Sequence, residues 1–353
     1  MKNLNSVYKK FKGVDAVLIQ TPYNTFYLTG YKSDFAFVLL TAEGNFYITD
    51  SRYIEEAKAV IGDGAECIAA SAREIMPRIK ETFDKVGAVK IGFENSVSYD
   101  CYAAMRAAFQ GRTLLGVDNI INELRAVKTP AELSLIKKAA AINDKAFEKL
   151  LKKVKEGVTE RQLAYELEYN MRKLGADDTA FDTIVAFGAN TSKPHAHGGL
   201  TKLEKGMPIT IDFGCRYKGY CSDITRSFAF GRPDDEYINA YDAVLKANKA
   251  GIKAVTAGAS ARHVDGICRE QLRAFDLEKY FLHGTGHGVG VEIHEAPTLN
   301  PNSDEVLKKN MVVTVEPGIY IEGKFGVRVE DLLVVENDGC RVISRLDKKL
   351  LIL

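Results

Sequence analysis

Short apolar runs alternate with helical patterns along the first third of the chain. The runs span residues 16–20, 35–41, 45–49 and 90–93 and are rich in β-branched and aromatic side chains. Between them, residues 51–60 and 99–109 repeat apolar positions at helical spacing. Strands that alternate with helices in this way predict an α/β domain.

Two longer helices follow, and each has a clear start in the sequence. Thr129 suits the N-cap of the first, Pro130 its first helical position and Glu132 the reciprocal bond of a capping box. This helix is predicted to run to about residue 155. The same device begins a second helix at Thr159, and Gly175 is a suitable stop for it.

A domain boundary is expected just before these helices. The apolar pattern is interrupted at Asp118-Asn119, and no histidine occurs earlier in the chain. We therefore predict one domain over residues 1–122 and a second over residues 123–353. The first has the character of a support or binding domain, and the candidate chemistry lies in the second.

Two aspartates lie on a predicted pair of antiparallel strands in the second domain. Residues 208–214 are a buried run that contains Asp212, and residues 223–228 begin with Asp223. If the turn centres on Tyr217-Lys218, the two aspartates face each other. Like charges directly opposed in a sheet repel, so a shared cation accounts for them better than a polar strand end or an exposed turn does.

All six histidines lie between positions 195 and 294, and three of them, His283, His287 and His294, belong to one glycine-rich segment. Its spacing is neither a dinucleotide fingerprint nor a Walker A loop, and it lacks the H-E-x-x-H pattern of zincins. The glycines permit close packing of backbone around the imidazoles. His263, in a helical pattern, is predicted to be a structural histidine rather than a ligand.

Two further carboxylates follow apolar strands. Glu316 ends the run 312–315, and Glu330 lies two residues after Arg328, hence on the same face of a strand. A simple Arg328–Glu330 ion pair is the alternative interpretation of that couple, but it leaves Glu316 unexplained.

Five groups thus occur in apolar or glycine-rich segments, where an ionised side chain is costly unless it is paired or binds a metal. They are Asp212, Asp223, His287, Glu316 and Glu330. This set is typical of a two-cation site. One histidine among four carboxylates suits Mn²⁺, with Co²⁺, Fe²⁺ and Zn²⁺ as alternatives.

Composition narrows the partners and the compartment. Lys plus Arg (48) nearly cancel Asp plus Glu (47) in a chain of 353 residues, without a basic stripe, which disfavours nucleic acid and anionic membranes. The longest apolar run, residues 35–40, is too short to span a bilayer, and the start lacks the apolar core of a signal peptide. The six cysteines show no C-x-x-C spacing, so we expect reduced thiols and a cytoplasmic protein.

Taken in order, these motifs closely resemble those of the Xaa-Pro peptidases of the M24 superfamily, which includes methionine aminopeptidase, aminopeptidase P and prolidase. The matching segments are 212–214, 221–226, 283–294, 316–318 and 328–331, and residues 47–53 resemble the creatinase-type N-terminal domain. The resemblance covers nearly the whole chain. It implies an α/β creatinase-like domain followed by an α+β pita-bread catalytic domain that holds two divalent metal ions.

The resemblance also implies roles for individual residues. Asp212 corresponds to the bidentate ligand of one metal, Asp223 and Glu330 to the two bridging carboxylates, and His287 and Glu316 to the remaining ligands of the other. His283, His294 and Arg328 correspond to outer residues that contact substrate and stabilise charge.

One departure from the family pattern leaves a choice open. A single Pro-His usually precedes the first ligand strand, whereas this chain has Pro194-His195-Ala196-His197. The offset to Asp212 favours His195 as the active-site histidine, and His197 remains an alternative.

The expected activity is hydrolysis of the bond between an N-terminal residue and a following proline, by either an Xaa-Pro aminopeptidase or an Xaa-Pro dipeptidase. Two cations would activate a shared water, with Glu316 as general base and His294 or His283 stabilising the tetrahedral intermediate. Proline-containing peptides or dipeptides are the expected substrates, and a homodimer the expected assembly. The alternatives are a methionine aminopeptidase, which typically lacks the α/β N-terminal domain, and a non-catalytic binding member, which usually loses metal ligands.

Overall fold

The computed structural model describes residues 2–353, except the side chains of residues 118 and 119. The chain forms two compact units, Met1–Leu124 and Arg125–Leu353. Across the part of the chain that is described, we find no helix with the length and apolar character needed to cross a membrane.

The first unit is built on one mixed six-stranded sheet. Its strands are β1 (Ala16–Ile19), β2 (Ala36–Thr41), β3 (Asn45–Thr49), β4 (Glu66–Ala69), β5 (Lys90–Phe93) and β6 (Thr113–Gly116), in the order β4-β3-β2-β1-β5-β6. Its helices are α1 (Leu4–Tyr8), α2 (Pro22–Thr29), α3 (Ile54–Ile61), α4 (Ile75–Lys85) and α5 (Tyr99–Ala108). The central strands β1 and β2 are buried throughout because every residue in them is apolar or small.

The predicted strands and the α/β alternation of this unit are confirmed. Its core contains Leu18, Leu39 and Ile91 from the sheet, with Ile79 and Phe83 from α4. Asp118 and Asn119, where the apolar pattern is interrupted, begin helix α6 (Asp118–Ala126). Their side chains lie outside the described residues.

Both predicted capping boxes are present at the start of the second unit. They begin α7 (Pro130–Leu151) at Thr129 and α8 (Glu160–Lys173) at Thr159. Gly175 has a φ of 100°, a left-handed value that glycine adopts without strain directly after a helix. Helix α7 ends before the predicted residue 155 because the next segment pairs elsewhere, through bonds of the Gly157 and Val158 backbone with Leu203.

Thirteen strands in four sheets follow among the described residues. They are β7 (Asp178–Thr179), β8 (Ile184–Phe187), β9 (Met207–Phe213), β10 (Cys215–Tyr217), β11 (Tyr220–Cys221), β12 (Ile224–Phe230), β13 (Gly286–Gly288), β14 (Glu295–Leu299), β15 (Val312–Val315), β16 (Gly318–Ile321), β17 (Phe325–Arg328), β18 (Asp331–Glu336) and β19 (Gly339–Val342). The sheet orders are β11-β10-β7, β12-β9-β8, β14-β13-β15-β18-β19 and β16-β17. Helices α9 (Asp235–Ala254) and α10 (Ala261–Arg273) complete the second unit. Short 3-10 helices occur at Gly62–Gly64 in the first unit and at Gly188–Ser192 and Glu278–Tyr280 in the second.

Two apolar cores hold this α+β unit together. In one, Phe147 of α7 stacks on Phe213 of β9 with ring centroids 5.7 Å apart and meets Phe228 of β12 edge-on. In the other, α9 and α10 pack against the five-stranded sheet, with Val244 and Val313 both fully buried. The strands that carry the candidate ligands therefore belong to sheets with helices packed against them.

The register of β9 and β12 differs from the prediction. Asp212 lies opposite Thr225, not opposite Asp223. The turn centres on Lys218-Gly219, whose φ values of 47° and 81° fit the two-residue hairpin turn with both central residues left-handed. This moves the pairing, and Asp223 becomes a diagonal neighbour of Asp212 on the same face of the sheet.

Candidate metal centre

The five candidate ligands all lie on or beside strand ends of the second unit. Asp212 is on β9, Asp223 directly precedes β12 and His287 is the middle residue of β13. Glu316 directly follows β15, and Glu330 lies between β17 and β18. Strand ends from different sheets thus bring together side chains that are far apart in sequence.

Three of these residues meet closely. Ligand atoms of Asp223, His287 and Glu330 all lie within 4.8 Å of one another. Glu316 Oε1 lies 3.3 Å from His287 Nε2, and Asp223 Oδ2 lies 3.5 Å from the same nitrogen. His287 Nδ1 is 3.0 Å from the carbonyl of Gly288 and can donate to it, which leaves the Nε2 lone pair directed at the carboxylates.

The cluster contains buried carboxylate oxygens that the protein does not satisfy. Glu330, only 1% exposed, accepts a hydrogen bond from Thr225 on Oε2, whereas its Oε1 has no partner among the described residues. Asp212 is alike, since Arg328 Nη2 donates to Oδ2 at 2.6 Å and Oδ1 lacks a partner. Unsatisfied buried oxygens beside a histidine lone pair fit a bound cation.

Electrostatics lead to the same conclusion. Burial raises the pKa of Asp223 well above its usual value, and the charges of Glu330, Asp212 and Glu316 raise it further. Burial also raises the pKa of Glu330 well above normal, with the charges of Glu316 and Asp212 adding to it. The carboxylates therefore repel one another, and a divalent cation would relieve that repulsion.

Glu316 differs from the other carboxylates because a histidine faces it. Burial raises its pKa, but without a metal His287 carries a proton on Nε2, and the hydrogen bond and charge of His287 then outweigh burial and lower the pKa to about 2. Thr314 also donates to Glu316 Oε1, at 3.1 Å. The Glu316 carboxylate is therefore ionised in the metal-free site and forms an ion pair with His287.

Two threonines that the sequence analysis did not identify orient the ligands. Thr225 donates to Glu330 Oε2 at 2.7 Å, and Thr314 accepts from the His287 backbone N–H at 3.0 Å. A signal for Thr225 was present, because it lies two residues after Asp223 and hence on the same strand face. Thr314 carries the equivalent signal two residues before Glu316.

Arg328 pairs with Asp212 rather than with Glu330, so the alternative ion pair considered from the sequence is wrong. Its other donors reach Thr225 Oγ1 at 3.0 Å, the Pro194 carbonyl at 3.3 Å and the Tyr320 hydroxyl at 2.7 Å. The residue is only 4% exposed, and the guanidinium makes four hydrogen bonds to the protein. It therefore holds the site together in this structure.

Tyr320, on β16, is a site residue that no sequence pattern indicated. Its hydroxyl accepts from Arg328 and is 2.8 Å from His283 Nε2, while His283 Nδ1 is 2.8 Å from the Gly284 carbonyl. Both nitrogens of His283 are therefore occupied. Burial lowers the pKa of His283, consistent with a neutral ring whose Nδ1–H donates to Gly284.

His294 is arranged differently. The residue is partly exposed, its ring lies 4.3 Å from the His287 ring, centroid to centroid, and the ring makes no hydrogen bond with the described residues. Burial and the neighbouring His287 lower its pKa. The His195 charge is a smaller cause that lowers the pKa of both His283 and His294. His263 is exposed on α10, so it is a surface residue and not the structural histidine that was predicted.

Comparison with known proteins identifies the family. Residues 134–337 match the sequence model of metallopeptidase family M24, and residues 8–127 match that of the creatinase/prolidase N-terminal domain. The chain belongs to metallopeptidase family M24. The resemblance found in the motifs is therefore confirmed, and with it the two-domain architecture of a creatinase-like domain and an M24 catalytic domain.

Relatives of this M24 protein match it over nearly its full length. The Xaa-Pro dipeptidase of Pyrococcus furiosus is 33% identical over 344 residues, which are 96% of this chain and 95% of that protein. A solved Xaa-Pro dipeptidase from Bacillus anthracis superimposes with a TM-score of 0.94 at 38% identity and covers 99% of this chain and 98% of its own. The X-Pro aminopeptidase structure from Thermotoga maritima gives 0.91 at 34% identity, with 98% and 99% covered.

Membership of the M24 family implies divalent metal ions. The donor set of this chain fits them on its own evidence, because oxygen ligands and one imidazole converge with unsatisfied lone pairs.

Proposed function

We propose that this M24 peptidase hydrolyses the peptide bond between an N-terminal residue and a following proline. The observation that carries the proposal is the buried cluster of Asp223, His287 and Glu330 with unsatisfied carboxylate oxygens, a site suited to metal-assisted hydrolysis. The specificity is supported by full-length relatives named Xaa-Pro dipeptidase and X-Pro aminopeptidase.

The proposed cofactor is a pair of divalent ions, with Mn²⁺ as the preferred metal because carboxylate oxygens outnumber the single imidazole. Asp212 would bind one ion and His287 with Glu316 the other, and Asp223 and Glu330 would bridge the two. The two unsatisfied oxygens, Asp212 Oδ1 and Glu330 Oε1, support this division.

The bound metals would supply positive charge that lowers the pKa of the attacking water and stabilises the developing oxyanion. Glu316 would accept the proton of that water and pass it to the leaving nitrogen, acting first as general base and then as general acid. His294 is the imidazole available to the tetrahedral intermediate, because both nitrogens of His283 are engaged by Gly284 and Tyr320. His283 then forms a hydrogen-bonded chain with Tyr320 and Arg328 that holds the side chains of the site in place.

His195 is proposed as the remaining active-site histidine in preference to His197. The charge of His195 is among the causes that lower the pKa values of His283 and His294, after burial and other neighbours, and this supports the choice. Proline's nitrogen has no N–H for recognition, so specificity for it must come from the shape of the ring.

Four peptides test the proposed function. Ala-Pro or Ala-Pro-Ala should be cleaved well, and Ala-Ala about 10- to 200-fold more slowly, because a missing ring in an apolar pocket costs about 1 to 3 kcal/mol. The ratio of the two proline substrates decides between dipeptidase and aminopeptidase. Rapid cleavage of Met-Ala-Ser with slow cleavage of Ala-Pro-Ala would sink the proposal and favour a methionine aminopeptidase.

We also propose a cytoplasmic homodimer. The six cysteines are all free thiols, which fits a reducing compartment. Sedimentation equilibrium of the purified protein tests the assembly, and a mass of one chain at all concentrations would contradict it.

A further inference from the structure

Two buried cations lie outside the metal centre and have no part in the mechanism above. Arg125, in the last turn of α6, and Lys128, two residues after that helix, are 4% and 2% exposed. Burying a cation is costly unless a carboxylate faces it in good geometry. Their partners are therefore informative.

Both cations converge on the carboxylate of Glu295. Lys128 Nζ lies 2.7 Å from Glu295 Oε1, an ion-pair contact without the angle of a hydrogen bond, and Arg125 Nη2 lies 2.7 Å from Oε2. Arg125 also pairs with Glu292 at 2.8 Å. Two cations and two carboxylates balance one another, and the Glu295 side chain is only 5% exposed.

The network holds a short loop between β13 and β14. Gly290 makes room for the Glu295 carboxylate, because a Cβ on Gly290 would come within 2.2 Å of Glu295 Oε1. The Gly290 carbonyl accepts from the Cys221 backbone N–H at 2.7 Å, which ties the loop to the strand that leads to Asp223. The loop is thus anchored at its start by backbone and at its end by Glu295.

His294 is the residue of this loop that directly precedes Glu295. Since its ring makes no hydrogen bond with the described residues, its place 4.3 Å from the His287 ring depends on the backbone that carries it. That backbone is held by the buried carboxylate of Glu295, which in turn is held by Lys128 and Arg125.

We propose that Lys128 and Arg125 are positioning residues for His294. They act through Glu295 and contact neither substrate nor metal. The inference rests on the proposed function for the substrate contact of His294, but the positioning itself is independent of the substrate.

A double-mutant cycle tests the coupling. Lys128→Met, which keeps the length of the side chain and removes its charge, should lower kcat on Ala-Pro by about 10- to 100-fold, because small misplacements at an active site have effects of that size. KM should change less than kcat, and Lys128→Arg should restore part of the loss. In a His294→Ala background, Lys128→Met should lower kcat by no more than about threefold, because its effect passes through a side chain that is no longer present.

Lys348→Met is the matched control. Lys348 is also a largely buried cation paired with a carboxylate, Asp331 at 2.7 Å, but it touches no residue of the loop. Its effect on kcat should therefore multiply with that of His294→Ala. If the losses from Lys128→Met and His294→Ala also multiply, the positioning role is wrong.

Hydrogen exchange of the metal-loaded protein gives a readout without turnover. Lys128→Met should speed exchange in residues 289–296 while leaving α7 unchanged, and unchanged exchange in the loop overturns the proposal. Should Lys128→Met fail to fold, Glu295→Gln removes the same charge pair from the other side and should give the same pattern. If the wild type does not cleave Ala-Pro, the proposed function fails, and the exchange experiment still decides the positioning role.

Discussion

Glu330 and Asp331 are adjacent in sequence and equally buried, yet the protein treats them in opposite ways. Both are 1% exposed. Asp331 is paired with Arg226 at 3.0 Å and Lys348 at 2.7 Å, and it accepts from Ser344 at 2.9 Å. Glu330 has one hydroxyl donor, Thr225, and its nearest charged neighbours are other carboxylates that raise its pKa.

The difference separates a carboxylate that the fold neutralises from one that it leaves without an ion pair. The chain supplies two cations for Asp331, so that charge is neutralised whenever the protein is folded. Among the described residues no cation forms an ion pair with Glu330, and its Oε1 lacks a partner. A buried carboxylate without a cation of its own has to receive one from outside, which is the property expected of a metal ligand.

The largest effect should come from breaking the internally paired side. Asp331→Asn leaves Arg226 and Lys348 buried without their partner, which should lower the free energy of unfolding by about 3 to 5 kcal/mol. Urea denaturation monitored by circular dichroism measures it. A change below about 1 kcal/mol would show that the pairs with Asp331 contribute little to stability.

Glu330→Gln should leave the stability of the fold intact and lower activity instead. It removes a repelling charge, so the metal-free protein should be at least as stable as the wild type, while activity on Ala-Pro should fall by more than about 100-fold, beyond the loss typical of an outer partner of a metal ligand. Asp223→Asn should behave alike. Two tightly held metals per chain in either variant, by elemental analysis, would contradict the bridging assignment.

The effect of metal on stability should also distinguish Glu330 from Asp331. Mn²⁺ at about 100 times its dissociation constant should raise the free energy of unfolding of the chelator-treated wild type by about 2.7 kcal/mol per site. Asp331→Asn should show the same increment from its lower baseline, whereas Glu330→Gln should show much less. Equal increments in all three proteins would mean that the ion binds elsewhere.

The smallest effect concerns the two histidines that the sequence left open. His195→Ala should lower kcat by about 100-fold, at the lower end of the range found for lost stabilisation of a developing charge, and His197→Ala should stay near the wild type. Steady-state rates on Ala-Pro compare them. A larger loss at His197 would reverse the assignment.

Much of this molecule was predictable from local pattern. The strands of the first unit and both capping boxes follow from side-chain alternation and from hydrogen bonds between neighbours, which depend on a few adjacent residues. The strand ends that carry Asp212 and Glu316 were equally visible. The turn between β10 and β11 was misplaced by one residue, because the left-handed pair Lys218-Gly219, not the distance between the aspartates, sets the register.

The sequence by itself determined the two domains, the family and which side chains are candidates for metal binding, because motif order and apolar context are written locally. Only the tertiary structure decided which charges meet. Arg328 is paired with Asp212 across 116 positions, and Lys128 with Glu295 rather than with any nearby carboxylate. Charge pairing in a buried site depends on separations of a few ångströms, and packing of distant strands sets these separations. The same reason explains why the contacts of Tyr320, and the pairing of Lys128 and Arg125 with Glu295 next to His294, were not apparent from the sequence.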